Sequence, residues 1–321
     1  MINPNLFNNP EKKSTRDGFG HALVELGSEN PNIIVLSADL AGSTRADWFQ
    51  KKHPNRFIQV GVSEQDLLGE SAGLSLVGKI PFATTFSIFS SGRAWDQLRN
   101  TICYPGLNVK IGATHSGISV GEDGASHQAT EDIAIVRVIP NITLIVPCDY
   151  YEAKKATKAA AKINGPVYLR LGRSNQPIVS SENSPFKPGE INVLKTGKDV
   201  SIIACGIMVY EALVAAKQLE NEDISAAVLN CHTIKPLDKK KIIQFAKATG
   251  AIVSAEEHQI SGGLGSAVAE VVSQNQPVPM EIIGLRDRFG QSGKTEELFI
   301  EYGLTAKNII SAVHKVIKRK R

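Results

Sequence analysis

The chain has 321 residues, about twice a typical domain of roughly 150, so two compact domains are expected. Apolar residues make up 42% and charged residues 21%, which excludes disorder and fibrous repeats. The net charge is +4, and the last seven residues, Lys315 to Arg321, hold five cations, so the rest of the chain stands at −1 and lacks a nucleic-acid binder's footprint. That basic tail reads as a solvated helix end whose cations complement the macrodipole. Cys103, Cys148, Cys205 and Cys231 are scattered, with no C-x-x-C pair, and indicate neither a disulfide framework nor a zinc site. The longest strongly apolar run, Val200 to Tyr210, is about half a membrane span. The polar opening MINPNLFNNPEKK lacks the order of a signal peptide. A cytoplasmic protein with no membrane partner is the expectation.

In chain order, a polar arm over 1–12 precedes a helix capped by Ser14 and Asp17, with apolar Phe19, Ala22, Leu23 and Leu26. Strands are expected at Ile33 to Leu36, Phe57 to Val60, Val109 to Ala113, Ile142 to Val146 and Val167 to Leu171. Asp149 and Glu152 form a capping box for a helix over Asp149 to Ile163. Such alternation argues for a parallel sheet covered by helices on both faces. The segment Ser180 to Glu190, rich in Ser, Pro and Gly, reads as a linker. Beyond it the pattern resumes, with strands at Val200 to Ala204, Ala226 to Leu229, Ile252 to Ala255 and near Glu281 to Ile283. Helices are expected over Val209 to Leu219, over Lys239 to Ala248, from Leu264 and from Ala306. The expected fold is α/β: two doubly wound domains, 13–179 and a smaller 191–321, joined by the linker at 180–190.

Ligands of open parallel sheets bind beyond the carboxyl ends of the strands, so those loops hold the candidates. They are Ser37 to Ser43, Gly61 to Gln65, the Phe-rich Thr84 to Phe89 with Arg93 to Gln97, the long Thr114 to Gln128, and Gly172 to Gln176. His115 and His127 share the Gly-rich loop with Asp123, which fits proton handling or a loop that satisfies its own backbone. Glu64, after a Ser63 N-cap, opens a helix, where the macrodipole alone accommodates an acid. Arg16 also opens a helix, where a cation is unfavourable by roughly 0.3–1 kcal/mol, and a bound phosphate would offset that cost. Glu256-Glu257-His258 precedes Ser261-Gly262-Gly263-Leu264-Gly265, a turn that lacks the P-loop lysine and is explained by tight packing.

Taken together, GVSEQ, TFSIFSSGRAWDQLR and HSGISVGEDGASHQ, followed by IKPLD and EEHQISGGLG, resemble the carboxyl-terminal half of a transketolase from about Lys13 onward. The resemblance implies the pyrimidine-binding domain of the thiamine diphosphate enzymes and the transketolase C-terminal domain. It makes Glu64 the acid that hydrogen-bonds the coenzyme's aminopyrimidine and favours its imino tautomer, in a dry pocket. Phe86 and Phe89 would form the aromatic platform, and Asp39 an acid near the coenzyme. His115 and His127 would serve the ketose oxygens, Asp123 a sugar hydroxyl, and Arg16, Ser43 and Arg173 the sugar phosphate. Gln65, Asp66 and Ser116 depart from the family's usual residues, which leaves the sugars open. The Gly-Asp-Gly motif that holds the diphosphate and Mg²⁺ in the other half of a transketolase does not occur here. No metal ligand is therefore assigned to this chain. The resemblance implies the C-terminal subunit of a split transketolase, transferring a two-carbon ketol unit. An N-terminal partner subunit would hold the metal, in a heterotetramer with two copies of each chain. The beta subunit of a 2-oxo acid dehydrogenase, the rear half of a deoxyxylulose-phosphate synthase and a non-catalytic regulatory subunit are the alternatives.

Overall fold

The computed structural model describes residues 2–320. Among these residues, twelve strands of three or more residues build two sheets. Those of the first half are β1 (Ile33–Ser37), β2 (Phe57–Gln59), β3 (Ile80–Phe86), β4 (Lys110–Thr114), β5 (Thr143–Ile145) and β6 (Val167–Arg170). Those of the second are β7 (Asn192–Lys195), β8 (Val200–Ala204), β9 (Ala226–Asn230), β10 (Thr233–Lys235), β11 (Ile252–Gln259) and β12 (Met280–Leu285). The first sheet runs β10-β5-β6-β4-β3-β1-β2 and the second β12-β11-β8-β9-β7. All pairings within them are parallel except β9 with β7 and β5 with β10. Central strands such as IIVLS and VSIIA are buried along their whole length, as a sheet covered on both faces requires. Two α/β units with parallel-rich sheets are thus present, as the alternation of patterns anticipated.

The halves are more entangled than periodicity indicates. β10 follows β9 in sequence yet leaves the second sheet and closes the edge of the first. Leu6, in the nominally polar arm, is fully buried in the core of the second half. The basic tail is not merely solvated, because Lys315 and Arg319 both pair with Glu281. No helix among the described residues is long and apolar enough to cross a membrane.

Local expectations at helix starts divide. Ser14 caps Thr15–Glu29 by accepting from the Asp17 N–H at 3.2 Å, and Asp149 caps Tyr150–Lys162 by accepting from the Glu152 N–H at 2.8 Å. The box at Asp149 is displaced: Glu152 reaches back one residue further, to the Cys148 N–H. Ser63 makes no side-chain cap, because its hydroxyl donates backward to the Val60 carbonyl at 2.8 Å. Glu256, Glu257 and His258 lie inside β11 and are buried, so the strand is longer than its apolar run. The Gly-rich turn after them is filled by the protein itself. The Glu256 carboxylate accepts from the Leu264 and Gly265 N–H groups at 2.7 and 2.8 Å. A Cβ at Gly263 would lie 2.1 Å from that carboxylate, so close packing explains the glycine.

Candidate active site

Because β1 to β6 are parallel, their carboxyl ends share one edge, and the candidate loops converge there. Two candidates sit at that edge in the left-handed region, Asp39 at φ 58° and His115 at φ 57°. Non-glycine residues rarely adopt this conformation, and where they do the surrounding structure holds them in place. Asp39 is exposed, and its N–H donates to Gln59 at 2.7 Å.

The helix Glu64–Leu76 begins on the buried carboxylate of Glu64, which is 4% exposed. The carboxylate is paired with a cation. Arg93, at the end of the π-helical segment Phe89–Arg93, reaches its two oxygens at 3.2 and 3.3 Å. The same guanidinium lies over the Phe89 ring, 4.0 Å from its centroid, and its side chain is 54% exposed. Phe86 and Phe89 are stacked at 5.7 Å with 16° between their planes. One face of Phe86 is taken by His115 at 3.7 Å, so Phe89 is the more open ring. His127 meets both phenylalanines edge-on, at 6.1 and 5.5 Å. Glu64, Phe86, Phe89, His115 and His127 therefore form one cluster, although they come from three loops.

Burial, reinforced by the nearby cations Arg16 and Arg173, pushes the His115 pKa down to about 3. At neutral pH His115 is therefore a neutral imidazole, able to accept or donate a hydrogen bond. Its Nδ1 lies 3.0 Å from the Thr114 hydroxyl.

Beside this cluster lies an open cleft of about 310 Å³ lined by Arg16, Glu122, Arg173, Ser174, Thr295 and Glu296 among others. Arg16 donates to the Ser43 carbonyl at 2.9 Å, while its Nε is buried without a partner. Burial and the neighbouring Arg45 push the Arg16 pKa down to about 10. An orphaned N–H donor among cations fits an anion. Ser43 meets Arg16 through its backbone carbonyl. Arg173 donates to the Val120 carbonyl at 2.6 Å and pairs with Glu122 at 3.0 Å. Asp123 is exposed on the same loop. Among the described residues no group of three or more His, Cys, Asp and Glu side chains is placed to hold a metal ion.

Two family models match in tandem, "Transketolase, pyrimidine binding domain" over residues 11–178 and "Transketolase, C-terminal domain" over 189–309. The chain belongs to the transketolase family. Over 310 residues it is 46% identical to a protein of Methanocaldococcus jannaschii named for a transketolase C-terminal section, covering 96% of this chain and 97% of that one. It is 42% identical over 310 residues to a 6-deoxy-6-sulfo-D-fructose transketolase subunit of Clostridium sp. (strain MSTE9), covering 97% and 96%. Among solved structures, a split-gene transketolase described as an inactive beta4 tetramer superposes with a TM-score of 0.91 at 52% identity, covering 96% of this chain and 99% of that one. The chain is thus a C-terminal section of the transketolase type, related to split transketolases.

Three residues of this transketolase section escaped sequence reasoning. Arg93 lay inside a motif already singled out, and its only signal was a cation four residues after Phe89. Arg45, which pairs with Asp17 at 2.6 Å and raises the positive potential around Arg16, had no periodic or motif signal. Thr295 reaches the cleft from the second half of the chain, which no spacing could reveal.

Proposed function

We propose that this chain is the C-terminal subunit of a split transketolase. It moves a two-carbon ketol unit between phosphorylated sugars, with thiamine diphosphate in an active site shared with an N-terminal subunit. The observation that carries the reading is the adjacency of two assemblies: a buried acid beside an aromatic ring and two imidazoles, and a cleft holding two arginines, one of them with an orphaned donor. The 13–179 and 191–321 halves are read as the two domains, and a heterotetramer with two copies of each chain as the working assembly.

The donor set fits the coenzyme's aminopyrimidine end. Glu64 offers a carboxyl group that can share a proton with a ring nitrogen, and Phe89 offers a face whose stacking adds roughly 0.5–1.5 kcal/mol. Phe86 supports that ring, and Asp39 stands at the neighbouring strand end. Thiamine diphosphate, when bound, supplies the carbon nucleophile that carries the ketol unit. His115, held neutral, can accept a hydrogen bond from a sugar hydroxyl or donate one to a carbonyl. His127 faces the same space from the far end of the loop, and Asp123 offers an acceptor to a sugar hydroxyl. Arg16, Ser43 and Arg173 grip the terminal anion, and the Ser43 carbonyl also fixes Arg16. Mg²⁺ and the diphosphate require hard oxygen donors from the partner subunit. A sulfonate is also a tetrahedral anion, and the Clostridium relative's name extends the candidate substrates to sulfonated sugars.

The deciding experiment mixes this chain with an N-terminal transketolase section, thiamine diphosphate and Mg²⁺. Ketol transfer is expected from the mixture and from neither chain alone; activity of this chain by itself refutes the shared site.

A ring that stacks on Phe89 and meets Glu64 must displace Arg93, whose planar N–H donors occupy both surfaces. Arg93→Ala removes this competitor for both surfaces and is expected to tighten thiamine diphosphate binding by the mixed complex severalfold. Calorimetric titration reads the constant. Weaker binding would instead make Arg93 a ligand of the coenzyme.

A further inference from the structure

The loop that carries both histidines is held from outside its own domain. Its middle, Ile118–Asp123, is a short 3-10 segment kinked at Gly121. Glu257 on β11 accepts from the Ser119 N–H at 3.1 Å and lies against Gly117, where a Cβ would sit 2.3 Å from the carboxylate. The opposite side of the same residue is also held. Thr295 donates to the Ser119 carbonyl at 3.2 Å, and Ser174 donates to it as well. The two hydroxyls share this one acceptor and lie 3.1 Å apart, so Ser174, next to Arg173, meets the second half of the chain at the Ser119 carbonyl. Ser292 donates to the Glu122 carbonyl at 2.7 Å.

The brace is anchored in the core. Glu257 is 3.9 Å from Arg170, which pairs with Asp132 at 2.7 Å, and all three are buried. Asp132 in turn accepts from Ser87 at 2.6 Å, one residue beyond Phe86. Buried charges of this kind hold fixed geometry, because displacing one leaves its partner uncompensated in a low dielectric. The chain of contacts runs from the aromatic cluster, through β6 and β11, to the peptide of Ser119.

We infer that the second half of the chain positions the substrate loop, and that Thr295 is a positioning residue for the anion cleft. Thr295 does so by fixing the Ser119 carbonyl and Ser174, and with them the two loops that carry His115 and Arg173. The inference rests on the proposed function for its kinetic consequence, though not for its structural one. Thr295 is half-buried at the start of a surface helix, so its variants put little of the core at risk.

The test compares Thr295→Val, which keeps the shape and removes the hydroxyl, with Thr295→Ser, which keeps the hydroxyl. In the full chain alone, hydrogen–deuterium exchange of the amides of residues 117–124 is expected to quicken about five- to tenfold in Thr295→Val, the scale of one lost hydrogen bond. Thr295→Ser is expected to restore the wild-type rate. In the mixed complex, KM for a phosphorylated ketose is expected to rise about fivefold in Thr295→Val with kcat within twofold, again restored by Thr295→Ser. Unchanged exchange in Thr295→Val overturns the inference. So does a Thr295→Ser variant as impaired as Thr295→Val, which assigns the effect to packing, or a loss in kcat at constant KM. If the wild-type mixture transfers no ketol group, the functional reading fails while the exchange measurement still decides the brace.

Discussion

Glu64→Gln is expected to lower ketol transfer by the mixed complex about 10²- to 10⁴-fold, the range associated with a positioned proton-transferring group. Glutamine preserves the shape of a side chain that is 4% exposed, but its amide cannot share a proton with a ring nitrogen. The substitution leaves the fold intact, because Arg93, the cation paired with the carboxylate, is half in solvent and turns to water once released. Turnover at saturating coenzyme, together with a thermal melt of the variant, measures both effects. A variant with turnover within twofold of wild type would remove Glu64 from the chemistry and leave the regulatory-subunit reading in its place.

Arg173→Ala is the second large effect. A hydrogen bond to a charged group contributes roughly 1.5–3 kcal/mol, so KM for a phosphorylated ketose is expected to rise about 10- to 150-fold. An unphosphorylated ketose makes no such bond, and its kcat/KM is expected to change far less. The contrast matters because Arg173 also donates to the Val120 carbonyl and pairs with Glu122. Loss of the loop alone would therefore weaken both substrates. Equal losses on the two sugars would assign Arg173 to the architecture of the loop instead of the grip on the anion. Steady-state kinetics on the sugar pair separates the outcomes.

Much of the candidate site was legible because parallel sheets impose a rule. Strands that point the same way deliver their carboxyl ends to one edge, so loops distant in sequence must meet there. Glu64, Phe86, Phe89, His115 and His127 could be grouped on that ground, and they do cluster. Arg16 stood out by a local physical conflict, a cation at a helix start, and it proves to have a buried donor without a partner. The pairing of Arg93 with Glu64 was not legible. Residues 29 apart in sequence carry no mark of which side chain turns toward which. Ser63 marks a helix start by its residue type, yet its hydroxyl bonds backward, since several backbone acceptors lie within its reach and only the actual turn selects one.

The sequence by itself determined the alternation of strands and helices, the two α/β units and the polar loops at the strand ends. Each of these follows from periodicity and residue type over a dozen residues or fewer, where local sterics and burial act. The tertiary structure decided that β10 crosses to the first sheet, that the acidic run of β11 is buried, and that Glu257 and Thr295 grip a loop more than a hundred residues earlier. Those outcomes depend on how the two units pack against each other. Docking is set by the summed fit of whole surfaces, which no local pattern of residues records.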